Sequence, residues 1–278
     1  MDNRPVGVFD SGLGGLTVLK EMRRLLPDEH IIYFGDCGRA PYGIKSPETI
    51  RRYTFQNIRF FLDAGVKLLV IACNTSSAYG YEHVAGALDI PVVEVIRPGA
   101  AEAVRATRNK RIGVIGTSAT VSSGIYQKVI KRLDPSVEVY AKACPLFVPL
   151  AEEGPRWWRH ESARVIAREY LGGFGETGID CLVLGCTHYP LLDGVIREAV
   201  GEGIALINSA RAAATVARDT LRSLGIGREA EDGAPADVRF FTSDSPEKFG
   251  PLCGAILGEP VERRASRLDI DKYESGLL

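Results

Sequence analysis

The sequence predicts an α/β fold made of two similar units with mostly parallel sheets, pseudo-symmetric about a central cleft. Short β-branched stretches alternate with longer amphipathic stretches along the 278 residues, and this alternation is typical of βαβ units covered by helices on both faces. The segment VGVFDSG at residues 6–12 is also similar to IGVIGTS at residues 112–118. Such a weak internal repeat indicates two units of one plan.

The expected elements follow the chain in order. Short runs rich in β-branched residues predict strands at residues 6–9, 31–34, 68–72, 92–95, 112–115, 137–141, 182–185, 205–207 and 238–242. Apolar residues at helical spacing predict helices that include residues 17–26, 46–64, 121–133 and 210–224. Ser46 has the side chain of a helix N-cap, and Pro47 suits the first helical position.

The domain boundaries are expected where the chain passes between the two units. The Pro98-Gly99 pair is typical of a boundary, and a return crossing is expected near Asn208 and Ser209. The first unit would then comprise residues 1–97 and 208–264, and the second residues 98–207. Residues 265–278 have little apolar periodicity and are expected to form a C-terminal tail.

The composition is that of an ordinary globular protein. The net charge is −1, from 34 basic and 35 acidic residues, so no nucleic-acid partner is expected. No apolar run approaches the length of a membrane span, and the N-terminus enters a strand without the features of a signal peptide. We therefore expect a cytoplasmic protein with no membrane partner.

The cysteines are expected to be reduced thiols rather than a disulfide framework. Cys144, Cys181 and Cys253 are interpreted as small buried apolar residues, and Cys37 has no assigned role. A zinc site from Cys181, Cys186 and a nearby histidine is an alternative, but the spacing lacks C-x-x-C pairs. We therefore expect no metal.

Two further segments place a cysteine at a strand end. Residues 68–78 (LLVIACNTSSA) and 182–192 (LVLGCTHYPLL) each predict a buried strand followed by a cysteine and small polar residues. The carboxyl ends of such strands border the ligand crevice. Cys73 and Cys186 are thus expected to face one molecule from opposite sides, where one face of a carbon loses a proton and the other gains one. The helix that follows each thiol should lower its pKa.

A glycine-rich loop, residues 10–15 (DSGLGG), follows the first strand and predicts a site for a small anion. A dinucleotide site is the competing interpretation, since Asp36 ends the second strand where a ribose-binding acid would lie. However, Thr17 occupies the position that needs the third glycine, and Asp10 would repel a pyrophosphate. The loop at residues 40–43 (APYG) follows the second strand and could offer the Gly43 N–H group to a carboxylate.

In combination, the motifs resemble those of the glutamate racemases, the cofactor-independent isomerases that supply D-glutamate for bacterial peptidoglycan. The matching motifs are DSGLGGLTV, FGD, APYG, CNTSSA, CPLFVPLAEEG and GCTHYPLL, spread from about Pro5 to about Glu262. The related aspartate racemases share the twin-cysteine plan. The resemblance implies racemisation of glutamate without cofactor or metal, usually by a homodimer.

The resemblance also implies roles for individual residues. Cys73 would take the α-proton from D-glutamate and Cys186 from L-glutamate. Asp10 would assist Cys73, and His188 with Glu152 would assist Cys186. The implied substrate contacts are Asp10, Ser11, Tyr42, Gly43, Asn74, Thr75, Thr187 and His188, with Thr117 and Thr120 as weaker candidates.

Three other functions stay open from the sequence. An aspartate racemase would share the paired cysteines, and a nucleotide-dependent oxidoreductase would use the glycine-rich loop. A third is a regulator without catalysis, because some members of the family also restrain DNA gyrase. The two intact cysteines and the near-neutral charge favour the racemase over that regulator.

Overall fold

The fold consists of two parallel sheets flanked by helices, which confirms the predicted α/β class. The computed structural model describes residues 2–229, 236–259, 261 and 265–273. In this part of the chain, the larger sheet has the strand order β10-β9-β2-β1-β3-β4. Its strands, all paired in parallel, are β1 (Val6–Asp10), β2 (Ile31–Gly35), β3 (Leu68–Ile71), β4 (Val92–Glu94), β9 (Val238–Thr242) and β10 (Ala265–Arg267).

The smaller sheet has the order β6-β5-β7-β8 and is also parallel. Its strands are β5 (Arg111–Gly116), β6 (Glu138–Ala143), β7 (Cys181–Gly185) and β8 (Ala205–Asn208). The central strands β1, β3 and β7 are buried along their whole length, as expected for parallel strands covered on both faces. The nine predicted strands are therefore confirmed, whereas β10 is an addition.

Helices connect the strands and cover both sheets. In chain order they are α1 (Leu16–Leu25), α2 (Pro47–Asp63), α3 (Asn74–Val84), α4 (Ile96–Ala106), α5 (Ser118–Ser122), α6 (Ile125–Leu133), α7 (Phe147–Glu152), α8 (Glu161–Leu171), α9 (Phe174–Thr177), α10 (Asp193–Val200), α11 (Ser209–Ser223) and α12 (Pro246–Leu257). The Ser46 side chain caps α2 by accepting from the Thr49 N–H group. Within the described ranges, no helix is both long and apolar enough to cross a bilayer.

One predicted helix is divided in two. The pattern at residues 121–133 suggested a single helix, but the structure has α5 and α6 with Gly124 between them. Gly124 has φ 65°, in the left-handed region that glycine adopts without the steric cost of a side chain. The single helix is therefore wrong, because apolar spacing continues across a backbone turn that only the glycine reveals.

The two boundary signals lie near the starts of helices. Pro98 and Gly99 lie within the first turn of α4 rather than in a linker, where a proline is tolerated because the first N–H groups have no partner in the helix. Asn208 caps α11 through its side chain, which accepts from the Ala210 N–H group. Both predicted boundaries therefore fall where a helix carries the chain from one sheet to the other, and the division into two units stays a prediction.

The expected C-terminal tail is corrected for residues 265–273. Ala265–Arg267 forms strand β10 against β9, and Ile270–Lys272 forms a short 3-10 helix; residues 274–278 lie outside the described residues. We propose the two units as residues 1–97 with 208–264 and residues 98–207, with the strand at 265–267 added to the first. Apolar residues of both sheets meet in one core, which includes Val8 and Val114.

Candidate active site

The Cys73 thiol lies at the end of the larger sheet. Cys73 follows β3 and is the N-cap of α3, where its Sγ accepts from the Ser76 N–H group at 3.4 Å. The thiol donates to Ser11 Oγ at 3.5 Å. Only 4% of the residue is exposed. The helix terminus and the neighbouring hydroxyl thus hold the sulfur in one orientation.

The electrostatic surroundings of Cys73 differ from the expectation. Burial, together with the nearby negative charge of Asp10, raises the pKa of the Cys73 thiol to about 11. The hydrogen bonds that the sulfur makes with Ser11 and Ser76 lower the pKa, but their effect is smaller. The expected lowering of the pKa by the helix is therefore wrong at this end, because desolvation of the thiolate outweighs the dipole. Cys73 holds its proton at neutral pH.

The Cys186 thiol lies at the end of the smaller sheet, directly after β7. Its Sγ is 3.7 Å from His188 Nδ1, and His188 Nε2 is 2.9 Å from Glu152 Oε1 at the end of α7. Burial opposes the charged form of His188, but the bonds to Cys186 and Glu152 prevail and raise its pKa well above the usual range. Burial likewise opposes a charged Glu152, yet His188 lowers the pKa of that carboxyl. The sulfur therefore faces an imidazolium cation.

The glycine-rich loop packs the first unit against this second thiol. Asp10 Oδ2 accepts from Thr187 Oγ1 at 3.0 Å, and Asp10 Oδ1 accepts from the Gly12 N–H group at 2.9 Å. Burial raises the pKa of the Asp10 carboxyl, opposed by the charge of His188. A Cβ atom at Gly14 would lie 2.4 Å from Thr187 Oγ1 and 2.5 Å from His188 Nδ1. Gly14 is therefore required for the close approach of the two units.

The dinucleotide alternative does not fit this geometry. The Asp36 carboxylate is fully buried and accepts from Arg39, Tyr42 and Ser243. Since these partners occupy both oxygens, the carboxylate is not available to a ribose hydroxyl. The loop between β1 and α1 likewise uses its glycines for packing between the units.

Both thiols line one cavity. Its walls are Ser11, Ala40, Pro41, Tyr42, Gly43, Cys73, Asn74, Thr75, Thr117, Val148, Glu152, Cys186, Thr187 and His188. The two remaining sequence candidates, Asp10 and Thr120, are bonded to residues of this wall. Asp10 bonds to Thr187, and Thr120 Oγ1 is within 3.1 Å of the hydroxyls of Thr75 and Thr117. The structure therefore brings all the candidate residues to one place.

An unpartnered donor faces this cavity. Asn74 lines it, and the Asn74 Nδ2 atom is buried without a hydrogen-bond partner. Its Oδ1 accepts from the Tyr126 hydroxyl at 2.7 Å, so the orientation of the amide is fixed. Because a buried polar group without a partner is costly, this amide is suited to an anionic ligand. No sequence motif pointed to Tyr126, which lies 52 positions from Asn74.

The other cysteines match their interpretation as apolar residues. Cys144, Cys181 and Cys253 are completely buried. Cys181 begins β7 and Cys186 follows its end, so an extended strand separates them by roughly 16 Å, too far for one zinc ion. Among the described residues, no group of three or more metal-ligating side chains is arranged to hold a metal. Burial raises the pKa of Cys37 to about 12.

Two thiols that reach one cavity from the ends of two parallel sheets define a class of α/β enzyme with paired acid–base cysteines. The chain belongs to the Asp/Glu/Hydantoin racemase family, which it matches over residues 6–217. This match confirms the resemblance that the motifs indicated.

Individual relatives within this family are glutamate racemases. The chain is 50% identical to the glutamate racemase of Geobacter metallireducens over 255 residues, which cover 92% of this chain and 93% of that protein. Among solved structures, the glutamate racemase of Francisella tularensis in complex with D-glutamate has a TM-score of 0.90 and 36% identity, covering 98% of this chain and 100% of that chain. The glutamate racemase of Thermus thermophilus in complex with beta-chloro-D-alanine has a TM-score of 0.87 and 40% identity, with the same coverage.

Proposed function

We propose that this protein is a glutamate racemase, an isomerase that interconverts L-glutamate and D-glutamate. The observation that carries the proposal is the pair Cys73 and Cys186, which come from different sheets and line one enclosed cavity. The similarity to glutamate racemases over nine-tenths of the chain supports glutamate rather than aspartate as the substrate.

The cavity offers hydrogen-bond donors for the two carboxylates of glutamate. The Asn74 side-chain nitrogen is unpartnered. Asn74 and Thr75 line the cavity and are the first residues of α3, and a helix N-terminus favours anions. Hydroxyls of Thr75 and Thr117 stand 3.0 Å apart and can turn toward a ligand. These groups would bind the carboxylates and leave the α-carbon between the sulfurs.

The reaction follows as two proton transfers on opposite faces of the α-carbon. With L-glutamate, the Cys186 thiolate removes the α-proton while the Cys73 thiol donates its own proton to the other face, and D-glutamate leaves. The reverse reaction uses the two sulfurs in exchanged roles. In the free enzyme, burial raises the pKa of the Cys73 thiol, which therefore keeps its proton. The His188 imidazole lies 3.7 Å from the Cys186 sulfur, where it can assist proton transfer at that end.

Deuterium exchange tests the two roles separately. Cys73→Ala and Cys186→Ala should each abolish racemisation, measured by circular dichroism on both enantiomers with aspartate as the alternative substrate. In D₂O, Cys73→Ala should still exchange the α-proton of L-glutamate alone, and Cys186→Ala that of D-glutamate alone. Cys253→Ala, a buried thiol outside the cavity, is the matched control. Racemisation by either cavity variant, or faster turnover of aspartate by the wild type, would overturn the proposal.

The resemblance extends the proposal beyond the reaction. From the resemblance we also propose that the enzyme is a cytoplasmic homodimer that supplies D-glutamate for peptidoglycan. Sedimentation velocity across a range of protein concentrations tests the dimer, for which a mass of twice 30.2 kDa is expected.

A further inference from the structure

The motif FGD ends in Asp36, which the reaction does not use but which lies at the centre of a buried polar network. Asp36 follows β2 and has no exposed surface. Its Oδ1 accepts from Ser243 Oγ at 2.6 Å, and its Oδ2 accepts from Arg39 Nε at 2.8 Å and from the Tyr42 hydroxyl. A buried carboxylate is tolerated when a cation and several donors surround it. Arg39 supplies that cation.

Arg39 connects this carboxylate to helix α2. Its Nη1 donates to Gln56 Oε1 at 2.6 Å, and its Nη2 donates to Asn57 Oδ1 at 3.1 Å. The guanidinium also lies over the Tyr53 ring, 4.1 Å from its centroid. The planar guanidinium therefore contacts Asp36, helix α2 and the Tyr53 ring at the same time. The ammonium group of lysine cannot reproduce this set of contacts.

The network closes on the wall of the cavity. Asn57 Nδ2 donates to the Tyr42 hydroxyl at 3.1 Å, so Tyr42 is held by both Asp36 and Asn57. The next residue, Gly43, is packed so tightly on the second unit that a Cβ atom there would lie 2.5 Å from Thr117 Cβ. The position of Tyr42 therefore sets how the first unit meets Thr117 across the cavity.

We propose that Arg39 is a positioning residue: through Asp36, Asn57 and Tyr42 it fixes residues 41–43 as the wall that receives the substrate. The inference rests on the proposed function for the identity of the substrate. Arg39 acts at a distance from both sulfurs, so it should support binding in the ground state and the transition state equally. Loss of such uniform binding raises KM and leaves kcat nearly unchanged.

The test compares Arg39→Lys with Arg52→Lys. Arg52 lies over the same Tyr53 ring at 5.3 Å but is exposed, and no hydrogen bond joins it to the network. In Arg39→Lys, KM should rise about tenfold for both enantiomers, with kcat changed less than about threefold. Arg52→Lys should match the wild type. Millimolar methylguanidinium added to Arg39→Ala should restore part of the lost affinity.

A second readout does not depend on the substrate. Hydrogen exchange of the backbone amides of residues 42–45 should accelerate by about tenfold or more in Arg39→Lys, and stay unchanged in Arg52→Lys. An unchanged KM with unchanged exchange would overturn the proposal, and so would a loss in kcat alone. If the wild type failed to racemise glutamate while exchange still responded to Arg39, the proposed function would be wrong and the positioning role would stand.

Discussion

The two thiols occupy equivalent places in the two sheets, but their surroundings are opposite in charge. Cys73 is hydrogen-bonded to two neutral groups, the Ser11 hydroxyl and the Ser76 N–H group, with the Asp10 carboxylate nearby. Cys186 faces the imidazole of His188, which is paired with Glu152. The fold is therefore pseudo-symmetric, while the surroundings of the two sulfurs are not: Cys73 lies near a carboxylate, and Cys186 lies beside an imidazole.

This difference constrains the kinetics. Because enantiomers have equal free energy, the values of kcat/KM in the two directions must be equal in any variant. An unequal pair of thiols cannot make the enzyme favour one product. It decides instead which protonation state of the free enzyme accumulates, and this state can be measured.

The largest effect is expected at the Cys186 end. In His188→Asn the cation beside the sulfur is lost, and kcat should fall in both directions by about 10²- to 10⁴-fold, the usual contribution of a positioned acid–base group. Circular dichroism on both enantiomers measures the loss. His83→Asn is the control, because His83 lies at the opposite end of α3 from Cys73. A fall in kcat of less than tenfold in His188→Asn would show that the reaction does not need a cation beside the Cys186 sulfur.

Glu152→Gln refines the same prediction through pH. The bond to Glu152 helps to raise the pKa of His188, so its removal should let the imidazolium lose its proton at lower pH. The alkaline limit of activity should then move toward neutral pH. Because the pKa of His188 is higher in the folded protein than in the unfolded chain, it stabilises the fold. This stabilisation is complete below about pH 6.5, the pKa of histidine in the unfolded chain, and it is lost as the pH rises through the pKa of the folded state. The stability of Glu152→Gln should accordingly depend less on pH above 6.5.

The next prediction concerns the pKa of the Cys73 thiol. A pKa of about 11, against 9.0 for an ordinary thiol, leaves roughly 100-fold less thiolate at neutral pH. The ¹³Cβ resonance of labelled cysteine, assigned by its absence in Cys73→Ser, should titrate near pH 11. The same shift stabilises the fold below pH 9, and this contribution is lost between pH 9 and 11. A midpoint at or below 9 would remove the proposed asymmetry.

Much of this arrangement could be predicted from the sequence, because it depends on local signals. Runs of β-branched residues located the strands, and a cysteine at each strand end located Cys73 and Cys186. Parallel strands open into a crevice at their carboxyl ends, and the weak internal repeat indicated two such units meeting at a central cleft, so a cavity shared by the two thiols was predicted. The association of Glu152 with His188 came from the resemblance alone.

The parts that could not be predicted depend on contacts between distant residues. The burial that raises the pKa of Cys73 is the sum of packing from both units, which no motif records. The sequence indicated a small-anion site for the loop that contains Gly14, whereas the missing side chain of this glycine allows the close approach of His188. Arg39 and Asp36 are three residues apart in the sequence, but their proposed role depends on contacts with Asn57 and Tyr42, which only the structure shows.

The smallest effect is expected at the Cys73 end, in Ser11→Ala. This variant removes one hydrogen bond to the sulfur, 3.5 Å long, and leaves the bond from the Ser76 N–H group intact. A single bond of this kind contributes about 1 kcal/mol, so kcat should fall by about fivefold. Ser11→Thr, which keeps the hydroxyl, should stay close to the wild type. A loss in Ser11→Ala as large as in His188→Asn would mean that both thiols need equal assistance. The difference between the surroundings of Cys73 and Cys186 would then have no effect on the reaction.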